Sequence, residues 1–227
     1  MSAPRTARAR ARAELTSEIK EVARRHVATT GAAGLSLRAV ARELGMVSSA
    51  LYRYFPSRDD LLTALIVDAY DAVADAAQAA EAVVRRSDLQ ARWLAVARAV
   101  RRWAQDNPQE YALIFGSPVP GYRAPQDTVD PAARIPLLLL GILGESTAPA
   151  EDLPLPRPVA RDLRRLRRQV APAVPEPRLA RAVMAWTHLI GSISFELFGH
   201  LVGSIEDYDA WFDLQVSDLG RGLGLRA

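Results

Sequence analysis

The sequence predicts an all-α protein: an N-terminal head of three helices, a long fourth helix, and a helical C-terminal body. Three observations carry this reading. Apolar residues recur at spacings of three and four, and no segment shows sustained alternation of Val, Ile and Thr, so strands are not expected. Proline is absent between Arg5 and Phe55 and again from Ser57 to Asn107, clusters from 108 to 177, and then disappears. Finally, LRAVARELGMVSSALYRYFPSRDDLL (37–62) opens as an amphipathic helix, is interrupted at Gly45 and restarts at once.

The first helix is expected over Ala11–Thr30, with Leu15, Ile19, Val22, Ala23 and Val27 on one face and Gly31 ending it. Ser36 is a fitting N-cap for a second helix, Leu37–Leu44, and Gly45 supplies the left-handed residue that closes it. A third restarts near Val47 or Ser48 and stops before Pro56. Ser57 and Asp60 form a capping-box pattern for the fourth, running to about Arg85 with Leu61, Leu62, Leu65, Ile66, Ala69 and Val73 inward. A fifth follows over Asp88–Asp106, and Asn107-Pro108 opens a short sixth. IPLLLLGIL (135–143) reads as a buried helix, far short of the roughly 18 residues of a membrane span.

Composition narrows the classes of function. With 49% apolar and 24% charged residues among 227, the chain is an ordinary globular protein. It has no cysteine, which excludes disulfides, thiolate metal sites and thiol nucleophiles and fits a reducing cytoplasm. The N-terminus has no apolar stretch behind its arginines, so no secretory signal and no membrane partner are expected. Residues 1–58 carry eleven Lys and Arg against four Glu, whereas residues 59–227 carry eighteen against twenty-two acids. A basic end on a mildly acidic body suits contact with a polyanion.

Two short helices joined by a tight Gly turn form a helix-turn-helix, whose second helix can enter the major groove of double-stranded DNA. Ala39, Ala41, Leu44, Val47 and Leu51 are expected to pack the corner. Ser48, Ser49, Ala50, Tyr52 and Arg53 then face outward, offering hydroxyls, a small apolar group and a cation to base edges or phosphates. Tyr54 is a further phosphate donor, and Arg58 adds charge at the start of the fourth helix, where an anion is already favoured. Ser36 and Arg38 complete the candidate DNA-binding set. Packing in a small core is the competing role for Tyr52 and Tyr54, and an idle solvated charge for Arg53 and Arg58.

The same stretch resembles the DNA-binding signature of the tetracycline-repressor (TetR) family of bacterial transcription regulators. The features shared are Ser36, Val40-Ala41, Gly45, Ser48, Leu51-Tyr52, Tyr54-Phe55 and Arg58 to Leu61, with Tyr54 and Arg58 standing where His and Lys are commoner. The arginines of residues 1–10 are expected to form a flexible basic arm, with a functionless extension as the alternative. The resemblance implies a DNA-binding head (11–58) and a body (59–227) that dimerises and binds a small effector, with a palindromic operator as the DNA target. No cofactor and no metal are expected, since the chain has three His and no Cys. AVMAWTHLIGSISFELFGHLVG (182–203) and YALIFGSPVPGYRAP (111–125) are similar to a C-terminal subclass named for a Trp-His-Gly pattern, through Trp186, Gly191, Ser194, Glu196 and Gly199-His200. Ile190 stands where that subclass often has His, so no role of that imidazole is carried over.

The 182–203 segment is apolar nearly all round and must bury both sides. Together with a last helix over Ile205–Gly220 it is expected to form a homodimer interface through Trp186, Ile190, Ile193, Leu197, Tyr208, Phe212 and Val216. The effector site is expected among Trp93, Val96, Val100, Trp103, Tyr111, Phe115, Tyr122, Met184, Thr187 and His188, an apolar and aromatic set for which plain core packing is the alternative. The arginine-rich 157–172 segment reads as a solvated surface helix, with contact to DNA flanks, anionic lipid or an acidic ligand as the alternative. The expected function is repression relieved by an apolar effector. An architectural DNA binder without effector is the rival, and an enzyme a remote one: the chain has three His, no Cys, and no GxSxG, Walker, HExxH or GxGxxG pattern.

Overall fold

The computed structural model describes residues 7–148 and 153–225, and every regular element among them is helical. These are α1 (Ala7–Thr30), α2 (Leu37–Glu43), α3 (Ser48–Leu51), α4 (Arg58–Ala82), α5 (Leu89–Asp106), α6 (Pro108–Phe115), α7 (Val129–Gly144), α8 (Arg157–Val170), α9 (Glu176–Leu197) and α10 (Tyr208–Gly222). No helix among the described residues is long and apolar enough to cross a membrane. The chain divides into two compact units, one of Met1–Ala69 with Gln109–Val129 and one of Tyr70–Pro108 with Asp130–Ala227.

In the first unit, α1 buries Ile19, Val22, Ala23 and Val27, spaced by three and four as one helical face requires. It starts at Ala7, four residues earlier than expected, because the Ala-Arg repeat preceding Ala11 consists of strong helix formers. Of the expected arm, residues 7–10 are therefore helical, and 1–6 lie outside the described residues. Leu37, Val40 and Ala41 of α2, Leu51, Phe55 and the first half of α4 complete the core. Ser57 begins α4 as expected: its Oγ accepts the Asp60 N–H at 3.1 Å and donates to the Asp60 carboxylate at 2.7 Å. α6 and the loop after it also belong to this unit. Glu110 pairs with Arg24 at 3.0 Å, and the Tyr122 and Thr63 hydroxyls lie 2.9 Å apart.

The second unit is organised around α5, which buries Trp93, Val96, Ala97, Val100, Trp103 and Ala104. Asp88 caps it by accepting the Ala91 N–H at 2.8 Å. The Asn107 side-chain amide turns back to donate to the Trp103 carbonyl at 2.9 Å and closes α5. The Trp93 indole donates to the Val216 carbonyl of α10 at 2.7 Å, a contact aided by Gly220, where a Cβ would fall on the Gln90 side chain of α5. Arg98 grips Asp213 through two bonds of 2.8 and 2.9 Å, and Arg101 grips Glu196 of α9 with the same pair of distances. α9 starts at Glu176 and ends at Leu197, earlier at both ends than expected. Gly199 takes φ +78°, and His200 and Gly199 donate back to the Phe195 and Glu196 carbonyls, forming a Schellman cap.

A charged side chain lies at the heart of this unit. Arg92 is 1% exposed and donates to Glu81 of α4 at 2.5 Å and to Glu145, just beyond α7, at 2.8 Å. The Arg92 guanidinium holds the Glu145 carboxyl below its usual range. Removing one member of a buried pair strands the other in low dielectric, at a cost of about 3–5 kcal/mol. Arg92→Ala should therefore lower the urea-unfolding free energy by that amount. Arg86→Ala, which removes an exposed partner of the same acids, should cost less than about 1 kcal/mol. Equal costs for the two would show that the network stabilises nothing by being buried.

Candidate DNA-binding surface

Gly45 sets the angle between α2 and α3. Its φ is +67°, and the Met46 and Gly45 N–H groups donate back to Ala41 and Arg42 at 2.8 and 3.2 Å. This Schellman cap stops α2 after Glu43 and sends the chain off at an angle. Ser36 caps the other end of α2, accepting the Ala39 N–H at 3.5 Å. Val47 is extended and α3 begins at Ser48. Helical hydrogen bonding continues past Leu51, with Tyr52 donating to Ser48 at 3.2 Å and Tyr54 and Phe55 to Leu51 at 2.8 and 3.1 Å.

This geometry gathers most of the candidate DNA-binding residues on the outer side of α3. Leu51 and Phe55 face inward and are buried, while Ser49, Tyr52 and Arg53 are exposed and Ser48, Ala50 and Tyr54 half-buried. Arg38 is exposed on α2. Val47, expected in the corner, is instead 70% exposed, because as the extended residue before α3 it lies outside the inward stripe that Leu51 supplies. It joins the outer surface as an apolar group.

Neighbouring elements fix this surface. Glu43 of α2 pairs with Arg25 and His26 of α1, each at 2.8 Å; Arg25 first, then His26, holds its carboxyl below the usual range. The Arg12 guanidinium lies 5.1 Å over the Tyr54 ring and donates to the Arg53 carbonyl at 3.4 Å. Nothing in the local pattern points to Arg12, because it lies far from Tyr54 in sequence and only the fold brings the two together. Arg58 donates to the Ala32 and Ala33 carbonyls at 2.8 and 3.3 Å and pairs with Asp59 at 3.2 Å. It thus ties the start of α4 to the turn between α1 and α2.

An exposed, hydroxyl-rich short helix, presented by a glycine turn and braced by a basic first helix, is the arrangement of a major-groove reader. Comparison with known proteins agrees. Residues 19–65 match the model of the bacterial regulatory proteins, tetR family, and residues 93–219 that of the tetracyclin repressor-like C-terminal domain. The chain belongs to the TetR family. It is 39% identical over 211 residues to the HTH-type transcriptional regulator Rv1816 of Mycobacterium tuberculosis, a match covering 90% of each chain. The crystal structure of SCO4313 is 39% identical and superposes with a TM-score of 0.79, covering 95% of this chain and 98% of that one. The TetR-family transcriptional regulator PfmR of Thermus thermophilus shares the fold at 20% identity, with a TM-score of 0.53 and coverage of 87% and 96%. The protein is thus a DNA-binding transcriptional regulator of the TetR family.

The effector candidates are carried by three parts of the chain. Trp93, Val96, Val100 and Trp103 are buried along α5 in the second unit. Tyr111, Phe115 and Tyr122 belong to the first unit, with Tyr111 fully buried and its ring centroid 5.2 Å from that of Phe115. Met184, Thr187 and His188 are exposed on α9, where His188 meets Gln215 of α10 at 2.9 Å.

Among the dimer candidates, Ile193, Phe212 and Val216 are 0–1% exposed within the protomer and have no surface to offer a partner. Trp186, Ile190, Leu197 and Tyr208 are half-buried. The open side of α9 lies about a third of a turn away, at Met184, Phe195 and Phe198, with Leu214 of α10 also exposed. A helix that is apolar all round gives no phase from which to choose a face.

The cap at Gly45 is directly testable. Gly45→Ala meets no steric obstacle, so its cost is that of the left-handed backbone alone, about 1–2 kcal/mol. Thermal unfolding should show that loss, together with weaker DNA binding. Unchanged stability would mean that the turn does not require glycine.

Proposed function

We propose that the protein is a dimeric repressor that reads a palindromic operator with α3 and releases it when an apolar effector binds the second unit. The observation that carries the DNA reading is the outer side of α3, where Ser48, Ser49, Tyr52 and Arg53 stand together. Ser48, Ser49 and Ala50 would face base edges, and Tyr52, Tyr54, Arg53 and Arg38 the phosphates, which position without reading sequence. Val47 adds an apolar group suited to a thymine methyl. Arg58 and Ser36 act in this reading by positioning, since their polar groups serve the turn and the cap.

Dimerisation is supported by the open side of α9 and α10. Met184 is 57%, Phe195 54%, Phe198 45% and Leu214 58% exposed. Large apolar side chains left exposed on one side of a helix support an association surface there. A twofold dimer would present two copies of α3 to half-sites about one helical turn, ~34 Å, apart. An effector that binds better to a state with another spacing weakens operator affinity by the same coupling, typically ~1–3 kcal/mol.

Two experiments test this reading. Fluorescence anisotropy on duplexes flanking the protein's own coding region should show a preference over scrambled DNA of at least ~10³-fold. Tyr52→Ala should abolish it, and Arg53→Ala should weaken binding to all sequences and lower the salt slope by about 1. Salt-dependent binding to every duplex, with no preferred sequence from a random pool, would favour an architectural role. In sedimentation velocity the native protein should be a dimer at micromolar concentration, and Phe195→Asp with Leu214→Asp a folded monomer that has lost operator binding. A monomeric native protein would overturn the dimer.

A further inference from the structure

The run IPLLLLGIL is apolar throughout, yet α7 buries only Ile135, Leu139, Ile142 and Leu143. Its other side opens on a cleft of about 250 Å³ within the second unit, closed by α8 and α9. Every residue lining it is apolar, including Leu137 and Leu140 of α7, Leu166 and Val170 of α8, and Val183 and Trp186 of α9. Leu137, Val170 and Val183 are each 40–44% exposed, so three large apolar side chains left open to solvent converge on one place. No residue expected in the effector site lines it.

Size and charge select the occupant. At about 30 Å³ per water-sized group the cleft holds roughly eight such groups. It falls below the ~300–1,000 Å³ of sites for drug-sized ligands. The lining is aliphatic apart from one indole, which suits a slim flexible chain over a fused aromatic system. The wall that α8 supplies comes from a cationic helix, with six arginines against a single acid, Asp162. Arg167 directly follows Leu166 and stands one turn before Val170, and it pairs with Glu176 at 2.9 Å, one turn before Leu179 of the cleft wall. That pair joins α8 to the first turn of α9. Arg167 holds the Glu176 carboxyl below its usual range, so the pair is charged at neutral pH.

We propose that this cleft binds a medium-chain aliphatic carboxylate of about eight carbons, its chain lying between α7 and α9 and its carboxylate taking the place of Glu176 on Arg167. That such a ligand regulates operator binding rests on the reading given under Proposed function; that it binds does not.

Isothermal titration of the full chain with sodium octanoate tests the site. Saturable binding is expected, weaker by at least tenfold for butanoate and hexadecanoate and lost for octylamine. Arg167→Met should weaken octanoate at least tenfold while leaving octanol unchanged. Val183→Trp, which fills the cleft, should abolish binding of both; Ala182→Phe serves the same purpose if that variant fails to fold. No octanoate binding by a protein that still binds its operator would overturn the site, as would full binding by a folded cleft-filled variant. Operator affinity with and without octanoate is a separate readout. Octanoate that binds while leaving operator affinity unchanged would sink the effector reading and spare the site.

Discussion

Asp68 accepts hydrogen bonds from Lys20 at 2.8 Å and Arg24 at 2.7 Å, and Arg24 reaches on to Glu110 at 3.0 Å, so one carboxylate of α4 fixes α1 and, through α1, α6. These groups are about a quarter exposed, and individually such pairs contribute little to stability. Their importance is geometric. α1 carries the Glu43 contacts that hold α2 and the Arg12 contact that covers Tyr54, so the placement of α3 follows from the placement of α1 on α4. Arg58 repeats the arrangement at the other end of the head, clamping the α1–α2 turn to the start of α4. α3 is only four residues long and buries a single side chain, Leu51, of its own. It could not hold a defined position without these braces.

What is legible in the sequence is whatever is encoded locally. The Gly45 turn, the Ser36 cap and the Ser57–Asp60 pair each depend on residues within a few positions of one another, and each occurs where expected. The inward faces of α1 and α4 are equally plain, because apolar and polar residues there separate cleanly at helical spacing. Long-range partners are not legible. Arg58 has the composition of a phosphate contact, and only the fold shows the Ala32 and Ala33 carbonyls within its reach. The apolar ring around α9 conceals which side meets α5, which meets the cleft and which stays open. Runs such as Leu137 to Leu140 suggest burial, although a cleft needs the same residues.

α9 brings these threads together, because it offers three different sides to three environments. Ala185, Leu189 and Ile193 are buried; Val183 and Trp186 line the cleft; Met184, Phe195 and Phe198 stand open where a second subunit would pack. Met184 directly follows Val183, so a chain entering the cleft would press on a helix whose next residue belongs to the proposed dimer face. A ligand shifts an equilibrium only by its differential affinity for two states. In the proposed complex Arg167 exchanges one carboxylate for another and releases Glu176 in the first turn of α9, which alters the tie between α8 and α9. The side of α9 buried against the core is held by the two bonds between Arg101 and Glu196. A rotation of α9 about its axis would move Met184 and Phe195 together, because both lie on one side of it. On the proposed reading, a second subunit packed on that face would then meet an altered surface.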